Sequence, residues 1–204
     1  MENNIVKYTA SDGMDVELTP MKVVELIVTG GNDPDPRDVA VFMAKCQARR
    51  LNPLAGDCYM TTYKNKRTGK VTTSVVVSKD YYMRTAGAQP TYRGFRAGIA
   101  VNNNGNLVYR DGSMLMPGEY LLGGWAEVYD ERWEHPLRAE VSKEEYDTGQ
   151  SLWADKPATM CRKVALVQAL REAYPAAYAG LYDQSEIDVS ESQSQVELEV
   201  EEVE

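Results

Sequence analysis

The sequence predicts an α+β protein, an antiparallel β-meander backed by a long buried helix, with N-terminal helices in front and a disordered acidic tail behind. Three observations predict it. Residues 92–101 alternate at period two, residues 156–173 are apolar around nearly the whole circumference of a helix, and two stretches before residue 50 carry helix caps ahead of apolar stripes. The chain has 204 residues, of which 43% are hydrophobic and 26% charged, enough to bury a core. Three parts are expected: a flexible leader over residues 1–18, a single folded domain over residues 19–183, and an acidic tail over residues 184–204.

The elements follow in order. Residues 1–18 show no sustained period. Thr19 as cap and Pro20 at the first helical position open a helix that Gly30-Gly31 ends, with Val23, Val24, Ile27 and Val28 as its stripe. Asp35 and Pro36 repeat that grammar for a second helix bearing Val39, Phe42, Met43 and Cys46, and Arg49-Arg50 place cations at its negative end. A turn at Asn52-Pro53 and Ala55-Gly56 leads into a strand over residues 58–63, a hairpin loop over residues 64–70 and a β-branched return strand over residues 71–77. Ser78 caps a short helix over residues 79–86. In the strand from residue 92, Arg93, Phe95, Ala97, Ile99 and Val101 share one face, and Tyr92, Gly94, Arg96, Gly98 and Ala100 the other. Further strands are expected over residues 107–116 and 124–132. The long helix carries Met160, Cys161, Val164, Ala165, Leu166, Val167, Ala169 and Leu170, and a helix apolar on nearly every side is buried.

Charge is distributed unevenly. The net charge of -9 includes eight acids and no base within residues 184–204. Residues 45–96, by contrast, hold eleven bases against Asp57 and Asp80, a local balance of +9. Such a block reads either as a nucleic-acid footprint or as a solvated face neutralised by the acidic segments around it. The tail reads either as a DNA mimic competing for that block or as a solubilising segment. No run is long and apolar enough for a membrane span, and the first residues do not resemble a secretory signal. Cys46, Cys58 and Cys161 have no metal-ligand spacing and read as small buried hydrophobes, which fits a reducing cytoplasm.

Enzyme signatures are sparse. Gly69-Lys70 lacks the remainder of a phosphate-binding loop, and His135 has neither a metal-binding partner nor a serine nucleophile in a recognisable motif. Asp57, Asp80, Glu127 and Asp130 are the acids that a magnesium-dependent nuclease would draw on, and their spacing is not diagnostic. Bases interleaved with aromatics stand out instead, from Tyr59 and Tyr63 through Tyr81, Tyr82 and Arg84 to Tyr92, Phe95 and Arg96. Cations that follow phosphates and rings that accept stacked bases are how single strands are held without sequence preference. Each tyrosine taken singly reads more readily as a core or strand-pairing residue.

Two stretches resemble a known family. Arg50-Leu51-Asn52-Pro53-Leu54 leading to Tyr59, then Val75-Val76-Val77 and residues 81–85, resembles the first block of the phage RecT/Bet recombinases, the group that includes the lambda Red beta protein. Residues 153–183, with Met160, Arg162-Lys163, Gln168-Ala169 and the final Gly180-Leu181-Tyr182-Asp183, resemble the second. Glu134-His135-Pro136 stands between them, and together they cover residues 36–187. Where the family has Gly-Trp before the arginine this chain has Tyr81-Tyr82-Met83-Arg84, and where the family has His it has Lys156.

The resemblance implies an ATP-independent protein that binds single-stranded DNA and anneals complementary strands in phage homologous recombination, acting as a ring or helical homo-oligomer in the cytoplasm of the host bacterium. It implies no catalytic residue, no metal and no cofactor, with magnesium at most a DNA counterion. Its expected partners are single-stranded DNA and the annealed duplex, a 5′ to 3′ exonuclease and a host single-strand-binding protein. On the family's plan the candidate phosphate contacts are Lys64, Lys66, Arg67, Lys70, Arg84, Arg93, Arg96, Arg162, Lys163 and Arg171. The candidate stacking residues are Tyr81, Tyr82, Tyr92 and Trp153. A magnesium-dependent nuclease and a non-catalytic structural oligomer are the alternatives.

Overall fold

The computed structural model describes residues 5–64, 68–149, 152–179 and 181. The acidic tail and the hairpin residues Lys66 and Arg67 lie outside them. The fold is α+β, as the sequence predicts, with antiparallel sheets and a long buried helix. It divides into two compact units, Met1–Tyr81 and Tyr82–Glu204.

The first unit opens with an antiparallel ribbon, β1 (Val6–Thr9) and β2 (Asp15–Leu18), where the sequence predicts a flexible leader. Strands of four residues are too short to reveal a period, and their order comes from tertiary contacts. Val16 and Leu18 are buried, the Tyr8 hydroxyl donates to the Leu51 carbonyl at 2.5 Å, and the Ser11 amide donates to the Arg50 carbonyl at 2.8 Å. In α1 (Pro20–Leu26) the Thr19 hydroxyl accepts from the Lys22 amide at 3.2 Å. The helix stops short of Gly30 because the β-branched pair β3 (Val28–Thr29) runs parallel to Met60 and Thr61. Asp35 caps α2 (Pro36–Arg49), whose Val39, Phe42, Met43 and Cys46 are buried at helical spacing. Arg50 ends it in the left-handed region at φ 51. β4 (Cys58–Lys64) and β5 (Val71–Val77) form the expected hairpin, with Cys58 opposite Val77 and Lys64 opposite Val71.

Leu51, Asn52 and Pro53 of the first matched block are buried. The Asn52 side-chain oxygen accepts from the Ala55 amide at 3.1 Å, its backbone N–H donates to Asp57 at 2.8 Å, and its side-chain nitrogen donates to Asp12 at 2.9 Å. That block is a corner holding the ribbon, the end of α2 and the start of β4. α3 (Lys79–Gly87), whose Tyr81 amide donates to Ser78, crosses the division between the units.

The second unit is a four-stranded antiparallel sheet in the order β7-β6-β8-β9, formed by β6 (Tyr92–Asn103), β7 (Asn106–Asp111), β8 (Tyr120–Asp130) and β9 (Leu137–Ser142). The ribbon expected over residues 107–116 ends at Asp111, where Gly112 takes a φ of +78. β9 is not among the strands that the sequence predicts. Two short helices, α4 (Lys143–Tyr146) and α5 (Leu152–Asp155), lead to α6 (Pro157–Ala173), and α7 (Pro175–Tyr178) follows. α6 packs on β6, β8 and β9, and Met160, Cys161, Val164, Ala165, Leu166, Val167, Ala169, Leu170 and Ala173 are all buried along it. Ile99, Val101, Ala126, Val128, Ala139 and Val141 are buried apolar residues of these strands. Among the described residues no helix is long and apolar enough to cross a membrane.

Candidate nucleic-acid interface

In the first unit the exposed cations Lys45, Arg49 and Arg50 at the end of α2, and Lys64 and Lys70 flanking the β4–β5 loop, make no ion pair among the described residues. Their amines and guanidinia are therefore available to an external anion. β4 is a seven-residue strand and so spans about 20 Å between its start near Cys46 and the basic loop. Cations at both of its ends give the unit a long positive reach.

The open face of the second sheet has different chemistry. Arg96 pairs with Glu127 and Gly98 with Trp125 across β6 and β8, while Trp125 pairs with Glu140 and Glu127 with Arg138 across β8 and β9. This register gathers an aromatic and ionic lattice on one face. The Trp125 indole, its N–H donating to the Arg110 carbonyl at 3.2 Å, reaches across Gly98, where no side chain stands in its way. The guanidinia of Arg96 and Arg138 lie 5.6 and 5.0 Å from its ring centre, and the Tyr109 ring meets it edge-on at 6.2 Å. Arg138 donates to Glu127 at 2.7 Å and to Glu140 at 2.8 Å, and Arg96 grips Asp111 at 3.1 Å. Burial pushes the Glu127 carboxyl up, but hydrogen bonds from Tyr129 and Arg138 outweigh it and hold that carboxyl below its ordinary range. Two arginines thus face three carboxylates, so both guanidinium charges are met within the lattice.

Several expected DNA contacts are placed accordingly. Arg93 is exposed, donates to the Pro90 and Tyr92 carbonyls and pairs with Glu131. It does not share a face with Phe95 as the alternation predicts: a bulge between Tyr92 and Gly94, with Gly94 at φ +102, leaves Arg93 without an opposite number on β8 and turns it outward. Arg84 is exposed and has an internal partner. Arg162 is half-buried and its Nε donates to the Ala97 carbonyl at 3.2 Å, a strut between α6 and β6. Lys163 and Arg171 are half-buried and internally engaged.

The expected stacking residues need correction. Tyr81 and Trp153 are 4% and 2% exposed and Tyr82 is fully buried, so none offers a ring face to a base. Tyr82 packs on Tyr178 at 4.9 Å between ring centres, and the Tyr178 hydroxyl donates to the Tyr82 carbonyl at 2.6 Å. An aromatic beside a base reads alike whether it faces a nucleotide or fills a core, and here packing claims all three. Tyr92 is half-buried and meets Tyr174 edge-on at 6.3 Å.

The acids are placed just as definitely. Asp57 is buried against the Asn52 amide, Asp80 lies beside Lys79, and Glu127 belongs to the lattice. Asp130 receives Arg132 through its backbone amide and guanidinium, Thr91 at 2.8 Å and the Tyr174 hydroxyl at 2.8 Å. His135 is exposed. Among the described residues no group of three or more histidines, cysteines or acids is arranged to hold a metal ion.

Asp130 clasps the end of β8 to Thr91 ahead of β6 and to the residue that ends α6. Its hydrogen bonds, those from Arg132 foremost, hold its carboxyl well below the usual range although burial opposes them. A carboxyl depressed by folding contributes stability above its unfolded pKa of about 4 and loses it as pH falls below that value. Asp130→Asn is expected to cost about 2–3 kcal/mol at neutral pH through unmet donors, and Tyr174→Phe about 1 kcal/mol. Urea denaturation at pH 7 and pH 3 checks both, and the gap between wild type and Asp130→Asn should narrow at the lower pH.

Comparison with known proteins joins this geometry to a family. A family model described as the RecT family matches residues 31–199. The chain is also 29% identical over 147 residues, 72% of its length, to the uncharacterized protein UU154 of Ureaplasma parvum serovar 3. It spans 58% of that relative's length.

Proposed function

The chain belongs to the RecT family, whose members act in recombination as annealing proteins rather than hydrolases, and from that premise we propose that it binds single-stranded DNA and pairs it with its complement without ATP. The observation that carries the DNA contact is the set of cations in the first unit that are unpaired among the described residues, Lys45, Arg49, Arg50, Lys64 and Lys70, to which Lys66 and Arg67 of the same loop add charge by sequence. Such groups hold phosphates and leave base edges free to test a partner strand.

The role assigned to each sequence-predicted residue shifts with its surroundings. Lys64 and Lys70, with Lys66 and Arg67, are the primary contacts. Arg93 and Arg96 serve only where phosphate displaces Glu131 or Asp111, and Arg162 is a positioning residue through Ala97. Tyr92 is the remaining candidate for stacking. Copies of the chain assemble along the strand, so that weak contacts add through effective concentration. A 5′ to 3′ exonuclease that exposes the strand, a host single-strand-binding protein and the host cytoplasm complete this reading. No cofactor takes part, and magnesium acts only as a counterion.

The test mixes the protein with two complementary oligonucleotides, one labelled, without nucleotide triphosphate, and follows duplex formation and strand length. Faster pairing with intact strands is expected. Binding should fall with salt at a slope of about -0.7 per phosphate contact on a logarithmic plot. Shortened strands would establish a nuclease instead, and pairing no faster than in buffer would overturn the proposal.

A further inference from the structure

We propose that Cys46 and Cys58 are an oxidisable dithiol that closes into a disulfide, and that the β1–β2 ribbon gates its access to solvent. Their sulfurs lie 3.7 Å apart, with both residues buried. One belongs to the apolar stripe of α2 and the other is the first residue of β4, twelve positions on, a spacing that matches no redox motif in sequence. A disulfide requires about 2.05 Å between sulfurs, so an approach of about 1.7 Å closes it. Both cysteines stand near the ends of their elements, where a small shift disturbs few backbone hydrogen bonds.

Tyr8 of β1 covers the pair. It is half-exposed, its hydroxyl donates to the Leu51 carbonyl at 2.5 Å, and burial together with the neighbouring thiols of Cys46 and Cys58 pushes that hydroxyl's pKa up. Outside Tyr8 the ribbon is held by Ser11 to Arg50 at 2.8 Å, Asn52 to Asp12 at 2.9 Å and Gln47 to the Lys7 carbonyl at 3.5 Å, and by the buried side chains of Val16 and Leu18. A two-stranded ribbon of four-residue strands opens more readily than the unit unfolds. Cys46, the thiol that neighbours the Tyr8 hydroxyl, is the first to meet an oxidant. The hydrogen bond with Cys46 and burial push the Cys58 pKa up, so Cys58 attacks only as its proton passes to the departing oxygen.

The oxidant class is a small peroxide. The Cys46 thiolate attacks one oxygen of hydrogen peroxide, the O–O bond breaks, and the departing hydroxide takes a proton to become water. Cys58 sulfur then attacks the sulfenic sulfur of Cys46 and expels the second oxygen, which leaves as water with the Cys58 proton. Two thiols and one peroxide become one disulfide and two waters. The product ties the last turn of α2, beside Arg49 and Arg50, to the start of β4.

The experiment treats the full chain with hydrogen peroxide, denatures it in acid, counts thiols with an alkylating mass tag and maps the peptides without reduction. One tagged cysteine, Cys161, and a linked peptide joining Cys46 to Cys58 that dithiothreitol separates are expected. Cys161 is a fitting reference, since burial raises its pKa to about 11. Tyr8→Ala should oxidise about tenfold faster, the scale of one lost hydrogen bond with its ring. Three tagged cysteines under peroxide that already oxidises methionine would overturn the pair, as would oxidised Cys46 or Cys58 without a linked peptide. A Tyr8→Ala rate equal to wild type would overturn the gate. Should that variant not fold, the urea dependence of wild-type oxidation decides: a shallow slope supports local opening, and the slope of global unfolding refutes it.

Discussion

Replacing Lys64 and Lys70 together by glutamate is expected to lower affinity for single-stranded DNA by about a hundredfold at 50 mM salt, because each lost phosphate contact costs about tenfold there. The two residues flank the basic loop, face solvent and have no acidic partner among the described residues, so their charge is spent on nothing internal. Neither is buried, and the fold should tolerate both changes within about 0.5 kcal/mol. The salt slope should become shallower, and raising salt should bring variant and wild type together. Arg96→Glu is the informative contrast. It removes a bond to Asp111 and a cation from above Trp125, so it should cost stability while changing DNA affinity less than the lysine pair does. Fluorescence anisotropy with a labelled oligonucleotide at several salt concentrations measures all three. An undiminished affinity in the double variant would remove the loop from the interface, and a larger loss from Arg96→Glu would move the interface to the open sheet face.

The sequence was most legible where a single element states its own period. The alternation of β6 from Phe95 to Val101, the capped stripe of α2 and the all-round apolar surface of α6 each name their structure without help from a neighbour. β3 has two residues and exists only because Met60 and Thr61 lie beside it. β9 does alternate, with Ala139 and Val141 buried between exposed Arg138, Glu140 and Ser142, a signal that its charges obscured. The candidate site was legible as charge but not as pairing. Arg93 and Arg96 look as free as Lys64 until Glu131 and Asp111 arrive from elsewhere in the chain. The Trp125 lattice draws on Tyr109, Arg138 and Glu140 from neighbouring strands and needs the register of the meander before it can be seen. Buried tyrosines escaped for a simpler reason: Tyr82 and a base-stacking tyrosine have the same spelling.

Gly124→Val is expected to have the largest effect on the fold of the second unit, costing about 3 kcal/mol or more. Gly124 lies in β8 directly beneath α6. A β-carbon there would stand 2.2 Å from the Cys161 carbonyl oxygen, 2.4 Å from its carbon and 2.8 Å from the Arg162 amide nitrogen. These are backbone atoms within a helix, so no rotamer change relieves the overlap. α6 must lift, and lifting it uncovers Ile99, Ala126, Val128 and Val141 while pulling Arg162 from the Ala97 carbonyl. A close-packed interior responds to such displacement as a whole, because the dispersion attraction that a gap removes has no substitute elsewhere in the core. Gly87→Ala, where an added β-carbon meets nothing within 4 Å, is the control and should leave stability unchanged or slightly raised. Urea denaturation and near-ultraviolet circular dichroism, which reports on the ordered tryptophans, make the comparison. A Gly124→Val protein with wild-type midpoint and spectrum would mean that α6 does not seat on β8 as described. A lowered midpoint with Lys64-dependent DNA binding retained would show that the first unit holds the strand without a well-packed second unit.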